Sequence, residues 1–171
     1  MKKLLPVLFI LSFILVACNQ NVEIKIPASF LDLEYVDMEF IDNVIANGKK
    51  DGISEITEKD DGSLIFNMSK AKQKEMKKEI EEGILITIET LSNTDKFPVI
   101  KKIDHNKKYS EFTLTVEQEN FNGGFAEMTS MALAAGGMYY QLLSGTDSYQ
   151  VTIQYKDVES GEIYNTVVYP K

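Results

Sequence analysis

Three segments of the chain share a pattern that restricts the fold more than any other feature. Each has two runs of alternating apolar residues with turn-forming residues between them. The clearest turn is Asp60-Asp61-Gly62-Ser63, because Asp-Gly between alternating runs favours the positive φ of a tight hairpin. The pattern predicts β-hairpins over 53–68, 99–116 and 149–169. Asp60 and Asp61 are interpreted as turn residues, since the alternate oxygens and terminal glutamate of a calcium loop are absent from this stretch.

A strand and a helix are predicted before the first hairpin. Apolar and polar residues alternate over 22–26, as in a strand with one buried face. After Pro27, Ser29 and Asp32 have the spacing of a helix N-cap and a carboxylate that reaches back to the free amides. Apolar residues then recur at helical spacing, which predicts a first helix over 30–47.

Two further helices are predicted between the hairpins. The second covers 70–93, and its β-branched part, 84–91, would also suit a strand, although no turn residues precede that part. The third covers 125–143 and holds one charged residue, Glu127. This third helix fits a central helix packed on a sheet better than a membrane span, because its serine, threonine, glutamine and tyrosines make it weakly apolar.

These elements predict an α+β fold. The expected order is β-α-ββ-α-ββ-α-ββ, with about seven strands in one antiparallel sheet and three helices packed on it. The first two hairpins have similar spacings of apolar residues, in which Ile53 and Ile56 correspond to Ile100 and Ile103. An internal ββα repeat is therefore also expected. Residues 22–171 are long enough to form a single domain with its own core.

The first eighteen residues have the layout of a bacterial lipoprotein signal. Lys2 and Lys3 precede an apolar run over 4–16 that is shorter than the roughly 20 residues of a membrane-spanning helix. The run leads into Leu15-Val16-Ala17-Cys18, which resembles a lipobox. That resemblance implies removal of residues 1–17 and attachment of a diacylglyceryl group to Cys18, the only cysteine of the chain.

A diacylglyceryl cysteine would hold the protein on a membrane surface, because two acyl chains anchor stably where one anchors only marginally. Residues 18–21 would form a short linker, so the domain is expected close to the extracytoplasmic face of the cell membrane. A single cysteine excludes an intramolecular disulfide. All basic residues are lysine and asparagine and isoleucine are plentiful, which favours an AT-rich Gram-positive source.

The composition argues against nucleic acid as a partner. The formal net charge is −8, and removal of Lys2 and Lys3 would make it two units more negative, so phosphates would be repelled. The lysines at 101, 102, 107 and 108 form a basic patch that suits lipid headgroups or anionic wall polymers. We favour the alternative that they protect the edge of a sheet from aggregation.

No pattern in the sequence selects a catalytic, cofactor or metal site. The only histidine, His105, lies in a charged turn and is expected at the surface, and the one cysteine would carry lipid. Nucleophilic catalysis and structural zinc therefore have no recognisable residue set. Paired carboxylates for glycoside cleavage stay open, since the 26 acidic residues offer many pairs and no spacing selects one.

Several strings together resemble a family of small, functionally uncharacterised lipoproteins of Gram-positive bacteria, some labelled as antigen I/II N-terminal-domain proteins. The resemblance spans nearly the whole mature chain and implies the lipid on Cys18, but its strings are structural and carry no catalytic signature. The strings are Ile26-Pro27-Ala28-Ser29-Phe30, Asp60-Asp61-Gly62-Ser63, Met68-Ser69-Lys70-Ala71-Lys72, Phe97-Pro98, Phe112-Thr113-Leu114-Thr115-Val116, Gly136-Gly137-Met138-Tyr139 and the stretch 151–163.

We therefore expect a non-enzymatic lipoprotein of the cell surface that binds a peptide, a cell-wall polymer or a partner protein. One alternative is an enzyme that acts on envelope glycans or lipids with carboxylates alone, which requires two acids in one pocket with shifted pKa values. A second alternative is a subunit of a membrane complex that docks through 125–143 or through the lysine-rich hairpin.

Overall fold

The computed structural model describes residues 21–33, 42, 45–146 and 149–170. Its elements alternate as the α+β prediction requires, with three helices lying wholly within these residues. The predicted hairpins are confirmed. The elements are β1 (Asn21–Ile26), α1 (Ala28–Leu31), β2 (Ile53–Glu58), β3 (Leu64–Ser69), α2 (Lys70–Leu91), β4 (Ile100–His105), β5 (Glu111–Val116), α3 (Gly123–Leu143), β6 (Val151–Asp157) and β7 (Ile163–Tyr169).

The strands form two sheets, so the prediction of a single antiparallel sheet is wrong. One sheet has the order β1-β3-β2 and is antiparallel throughout. The other has the order β4-β5-β6-β7, in which β5 and β6 run parallel. The parallel pair arises because α3 carries the chain back, so that β6 starts at the same end of the sheet as β5. The alternation of apolar residues within a strand indicates which face is buried, but it does not indicate which strand lies beside it or in which direction that strand runs.

The first two hairpins have the same register, which agrees with the expected repeat. In the first hairpin, Ile56 lies opposite Phe66, and an irregularity falls between Ile53 and Glu55. In the second, Ile103 lies opposite Leu114, and the irregularity falls between Ile100 and Lys102. Each hairpin is followed by a long helix, and α2 and α3 pack against one another.

The first helix differs from its prediction in both position and cap. It begins after Pro27, which occupies the N-cap, and ends at Leu31. Ser29 therefore lies inside the helix, where its hydroxyl is 2.7 Å from the hydroxyl of Tyr149. Pro27 has the extended φ and ψ of an N-cap residue, and no side-chain hydrogen bond caps this helix. Residues 42 and 45–47 are helical, as predicted, and the part of the predicted helix at 34–41, 43 and 44 lies outside the described residues.

The second helix settles the ambiguity at 84–91, which is helical as predicted. Ser69 caps it, because its hydroxyl accepts a 3.1 Å hydrogen bond from the amide of Lys72. Ile84 and Leu91 are buried at helical spacing, whereas Leu85 and Ile86 remain exposed. The helix stops at Leu91, two residues before its predicted end.

The third helix is a central helix of the fold, as predicted, and starts two residues earlier than expected. Leu133, Ala134 and Met138 are almost fully buried between α2, β6 and β1. Gly136 and Gly137 allow this close packing, since a Cβ on Gly136 would stand 2.8 Å from Cγ1 of Ile84. Among the helices in the described residues, none combines the length and the apolar character needed to cross a bilayer.

Candidate ligand-binding cleft

The residues singled out for lipidation, Leu15, Val16, Ala17 and Cys18, lie outside the described residues. Their role stays a prediction from the sequence. The described chain begins with β1 at Asn21, and β1 is an edge strand of the three-stranded sheet.

The parallel pair of strands creates a cleft at one end of the four-stranded sheet. Because β5 and β6 are parallel, their last residues, Val116 and Asp157, lie side by side at the same end of the sheet. The segment 117–122 leaves β5 there and leads into α3, while the turn 158–162 leaves β6. Crevices outside the carboxyl ends of parallel strands are the usual ligand sites of sheets with helical crossovers.

Carboxylates line the first half of this cleft, which we call the acidic half. Its volume is about 480 Å³. Four carboxylates and two amides line it. These residues are Glu117, Gln118, Glu119, Asn120, Asp157 and Glu159.

Glu117 is held ionised by its neighbours. A hydrogen-bonded ion pair with Lys101, 2.6 Å long, lowers the pKa of Glu117, and a 3.2 Å hydrogen bond from the side-chain amide of Asn120 lowers it further. The same contacts fix the carboxylate in the loop after β5. Lys101 extends from β4, so the central strand and the edge strand together position this side chain.

Asp157 is also held ionised, and it is mostly buried. Its carboxylate accepts a 2.8 Å hydrogen bond from the backbone amide of Ser160, which is the main cause of its lowered pKa. The turn after β6 is therefore built around this carboxylate. Gly161, with a φ of 72°, supplies the left-handed residue that the turn requires.

Aromatic side chains line a second pocket, which adjoins the acidic half at Gln118 and which we call the tyrosine half. Its volume is about 410 Å³, and Gln118 lines both halves. Phe121 and Tyr155 meet edge to face, with ring centroids 5.2 Å apart. The other residues lining the tyrosine half are Asn122, Gly123, Ala126, Glu127, Tyr164, Asn165, Val167 and Tyr169.

Among the described residues, the tyrosine half contains one hydroxyl without a hydrogen-bond partner and a helix N-terminus without a side-chain cap. The hydroxyl of Tyr164 is shielded from solvent and has no hydrogen-bond partner among the described residues. The N-cap of α3, Asn122, makes no side-chain hydrogen bond to the first turn. The amides of that turn therefore keep their capacity to donate to a carbonyl oxygen of a ligand.

The other residues considered from the sequence do not converge on this cleft. His105 is exposed, as predicted, and stacks on Tyr109 with ring centroids 4.7 Å apart. In the lysine-rich hairpin, Lys101 pairs with Glu117 and Lys102 pairs with Asp104 at 2.6 Å. The hairpin places Lys101 and Lys102 on β4, an edge strand, where the sequence predicted them.

The cleft was not predicted from the sequence because its residues come from segments that are remote along the chain. Glu117 and Glu119 belong to the loop before α3, whereas Asp157 and Glu159 follow it. Only the parallel pairing of β5 and β6 brings the two segments together. The available signal was weak: two short acidic segments, each directly after an alternating strand.

Comparison with known proteins leaves the family of the chain open. No protein-family model matches the sequence, no curated protein is significantly similar to it, and no solved structure matches the fold. The resemblance to Gram-positive lipoproteins therefore stays a prediction.

Proposed function

We propose that the protein is a lipid-anchored protein of the outer face of the cell membrane, which binds a basic peptide segment in the cleft and catalyses no reaction. The observation that carries the proposal is the acidic half, where four carboxylates from two remote segments line one cleft. The membrane anchor rests on the signal-like leader and on Cys18.

The chemistry of the cleft favours an organic cation over a metal ion. Within the described residues, no three His, Cys, Asp or Glu side chains are grouped so that they could hold a metal. Ionised carboxylates spread around an opening suit the ammonium group of lysine or the guanidinium of arginine. The aromatic rings of the tyrosine half suit the apolar stem of such a side chain, or its cation.

The electrostatics argue against carboxylate catalysis at this cleft. A glycosidase needs one carboxyl group with a raised pKa, which donates the proton to the leaving group. At this cleft the pKa values of Glu117 and Asp157 are both lowered. Both are therefore ionised at neutral pH, which serves attraction of a cation rather than proton donation.

Binding of a pentalysine peptide to the full chain, measured by isothermal titration calorimetry in detergent, tests the proposed cleft. Glu119→Gln combined with Glu159→Gln should weaken binding by about tenfold, since two charge-assisted contacts are lost. The matched control is Glu82→Gln with Glu89→Gln on α2, which changes the net charge equally away from the cleft. An equal loss in both double variants would show attraction by net charge alone and would contradict a cleft.

Fractionation of a Gram-positive host tests the proposed anchor. The wild-type chain should appear in the membrane fraction, and mass spectrometry should find a diacylglyceryl group on Cys18 as the first residue. The Cys18→Ala variant should lose both the lipid and the membrane association. Cleavage at another position, or membrane association without lipid, would refute the anchor and leave the cleft to be judged by the peptide titration.

A further inference from the structure

The start of β1 lies beside the start of α2. Asn21 pairs with Ser69, and Ser69 is the N-cap of α2. Cys18 precedes Asn21 by three residues, which span at most about 10 Å even when fully extended. The inference that follows rests on the proposed lipid at Cys18. With that lipid in the bilayer, the start of β1 is held within about 10 Å of the headgroups, and the start of α2 lies next to it.

The surface around this end is basic, although the whole chain is acidic. The segments 47–52 and 70–75, which we call the basic surface, contain five lysines and two acidic residues. They lie against each other, since a Cβ on Gly52 would stand 3.5 Å from Cδ of Lys72. The positive end of the α2 dipole adds to the charge of the lysines in its first turn. The five lysines, all exposed except Lys72, are Lys49, Lys50, Lys70, Lys72 and Lys74.

The acidic half of the cleft lies at the other end of the two long helices. Gln73 donates a 2.8 Å hydrogen bond to the carbonyl oxygen of Leu143, so the start of α2 lies beside the end of α3. The segment 117–122, which lines the cleft, leads into the start of α3. Because α3 has 21 residues, about 30 Å separate the basic surface from the cleft along this helix.

We propose that the basic surface binds anionic lipid headgroups of the membrane that holds the anchor, so that the cleft faces away from the membrane. Lysine ammonium groups are common ligands of phosphate, which the headgroups carry. At physiological salt, charges are screened over about 8 Å, which is close to the reach of residues 18–21. The membrane therefore attracts the lysines at the anchored end, whereas the carboxylates about 30 Å away are screened from it.

The anchor favours lipid headgroups over a soluble polyanion as the occupant. It keeps the basic surface beside the bilayer, so the headgroups are present at a high effective concentration. A soluble polymer would have to compete with them from solution. The same orientation leaves the cleft open to a basic peptide that arrives from outside the cell.

Energy transfer to acceptor lipids with labelled headgroups tests the orientation. The lipidated full chain, purified from a Gram-positive host, is reconstituted in vesicles with a maleimide dye on Ala71→Cys or on Thr94→Cys. Both positions are exposed, the first on the basic surface and the second beyond the other end of α2. A lipidated Cys18 is a thioether and does not react with the dye. With phosphatidylglycerol in the vesicles, transfer from Ala71→Cys should be about threefold more efficient, because the two dyes differ in height by about 30 Å.

The lipid composition and a charge reversal show whether the lysines set this orientation. In phosphatidylcholine alone the tether lets the domain swivel, so the ratio of the two efficiencies should fall by about half. Lys50→Glu with Lys74→Glu should keep that lower ratio even with phosphatidylglycerol. Lys59→Glu with Lys96→Glu makes the same change of net charge at exposed residues outside the basic surface and should behave like the wild type. Circular dichroism melting of each variant checks that it is folded.

Two results would overturn the orientation while leaving the anchor in place. One is a wild-type ratio that phosphatidylglycerol does not change. The other is an equal increase in the ratio for Lys50→Glu with Lys74→Glu. Flotation of the wild-type chain with phosphatidylcholine vesicles tests the anchor separately. A chain that does not float with them would refute the anchor, and the orientation with it, without bearing on the peptide titration of the cleft.

Discussion

Gly137 of α3 packs directly against the backbone carbonyl of Tyr109, with no room for a Cβ atom between them. A Cβ there would also stand 2.9 Å from Cγ2 of Val151. We expect Gly137→Ala to lower the free energy of unfolding by about 3 kcal/mol, because the backbone of the turn before β5 cannot move aside as a flexible side chain would. Urea denaturation followed by circular dichroism measures the change.

Gly83 provides the matched substitution, because it lies within α2 and a Cβ there meets no atom within 4 Å. Gly83→Ala should raise the free energy of unfolding by about 0.5–1 kcal/mol through the higher helix propensity of alanine. If both variants changed stability in the same direction, the packing of α3 against the β4–β5 turn would be wrong.

Ionisation of the Tyr109 hydroxyl should lower the free energy of unfolding at alkaline pH. Its hydroxyl donates a 3.0 Å hydrogen bond to Glu81, and burial together with this carboxylate raises its pKa to about 12. A raised pKa in the folded state means that the stabilisation is complete below the ordinary value near 10. It is then lost as the pH rises from about 10 to about 12.

Tyr109→Phe should lower the free energy of unfolding at neutral pH by about 1–2 kcal/mol and remove one late step from the tyrosinate absorbance titration. The control is Tyr149→Phe, at a tyrosine that does not contact Glu81. A titration curve that keeps every late step in Tyr109→Phe would contradict the assignment.

Protonation of Asp61, in the turn of the first hairpin, should lower the stability of the protein at acidic pH. The carboxylate of Asp61 accepts hydrogen bonds from the hydroxyl and the amide of Ser63 and pairs with Lys25 at 3.1 Å, which together hold the pKa of Asp61 below 3.8. The contribution is therefore present above pH 3.8 and lost as the pH falls through the folded pKa.

Asp61→Asn should flatten the fall of stability below about pH 4, measured by thermal melts across that range. Asp60→Asn is the neighbouring control, since Asp60 is exposed and takes no part in these hydrogen bonds. If the melting temperature of Asp61→Asn fell below pH 4 as steeply as that of the wild type, the turn would not require the charge.

Local elements of this fold could be predicted from the sequence, because their signals lie within a few residues. The Asp-Gly turn set the first hairpin, and apolar spacing through Ile84 and Ile88 correctly favoured a helix over 84–91. The start of α1 was misplaced because Ser29 has the residue type of an N-cap, whereas the helix begins two residues earlier, after Pro27 and without a side-chain cap.

The arrangement of the strands could not be predicted, because it depends on contacts between remote segments. A buried hairpin such as that of β4 and β5 shows the same alternation whether its neighbour runs parallel or antiparallel. The division into two sheets and the cleft both follow from that choice. Glu117 and Asp157 therefore looked like two of many acids in the sequence, although they line one cleft.

Replacement of each of two neighbouring tyrosines by phenylalanine should change the free energy of unfolding in opposite directions. Tyr155 and Tyr164 have ring centroids 6.0 Å apart, and the hydroxyl of Tyr155 lies 2.6 Å from that of Ser130 inside the protein. The hydroxyl of Tyr164 is shielded from solvent without a described partner. Tyr155→Phe removes a satisfied hydrogen bond, so it should lower the free energy of unfolding by about 1–2 kcal/mol.

Tyr164→Phe removes a hydroxyl that is desolvated without compensation, so it should raise the free energy of unfolding by up to about 1 kcal/mol. Urea denaturation of both variants measures the difference. The hydroxyl would then be a desolvated group that lowers the stability of the fold. A Tyr164→Phe variant that is destabilised as much as Tyr155→Phe would show that the hydroxyl is satisfied within the folded chain.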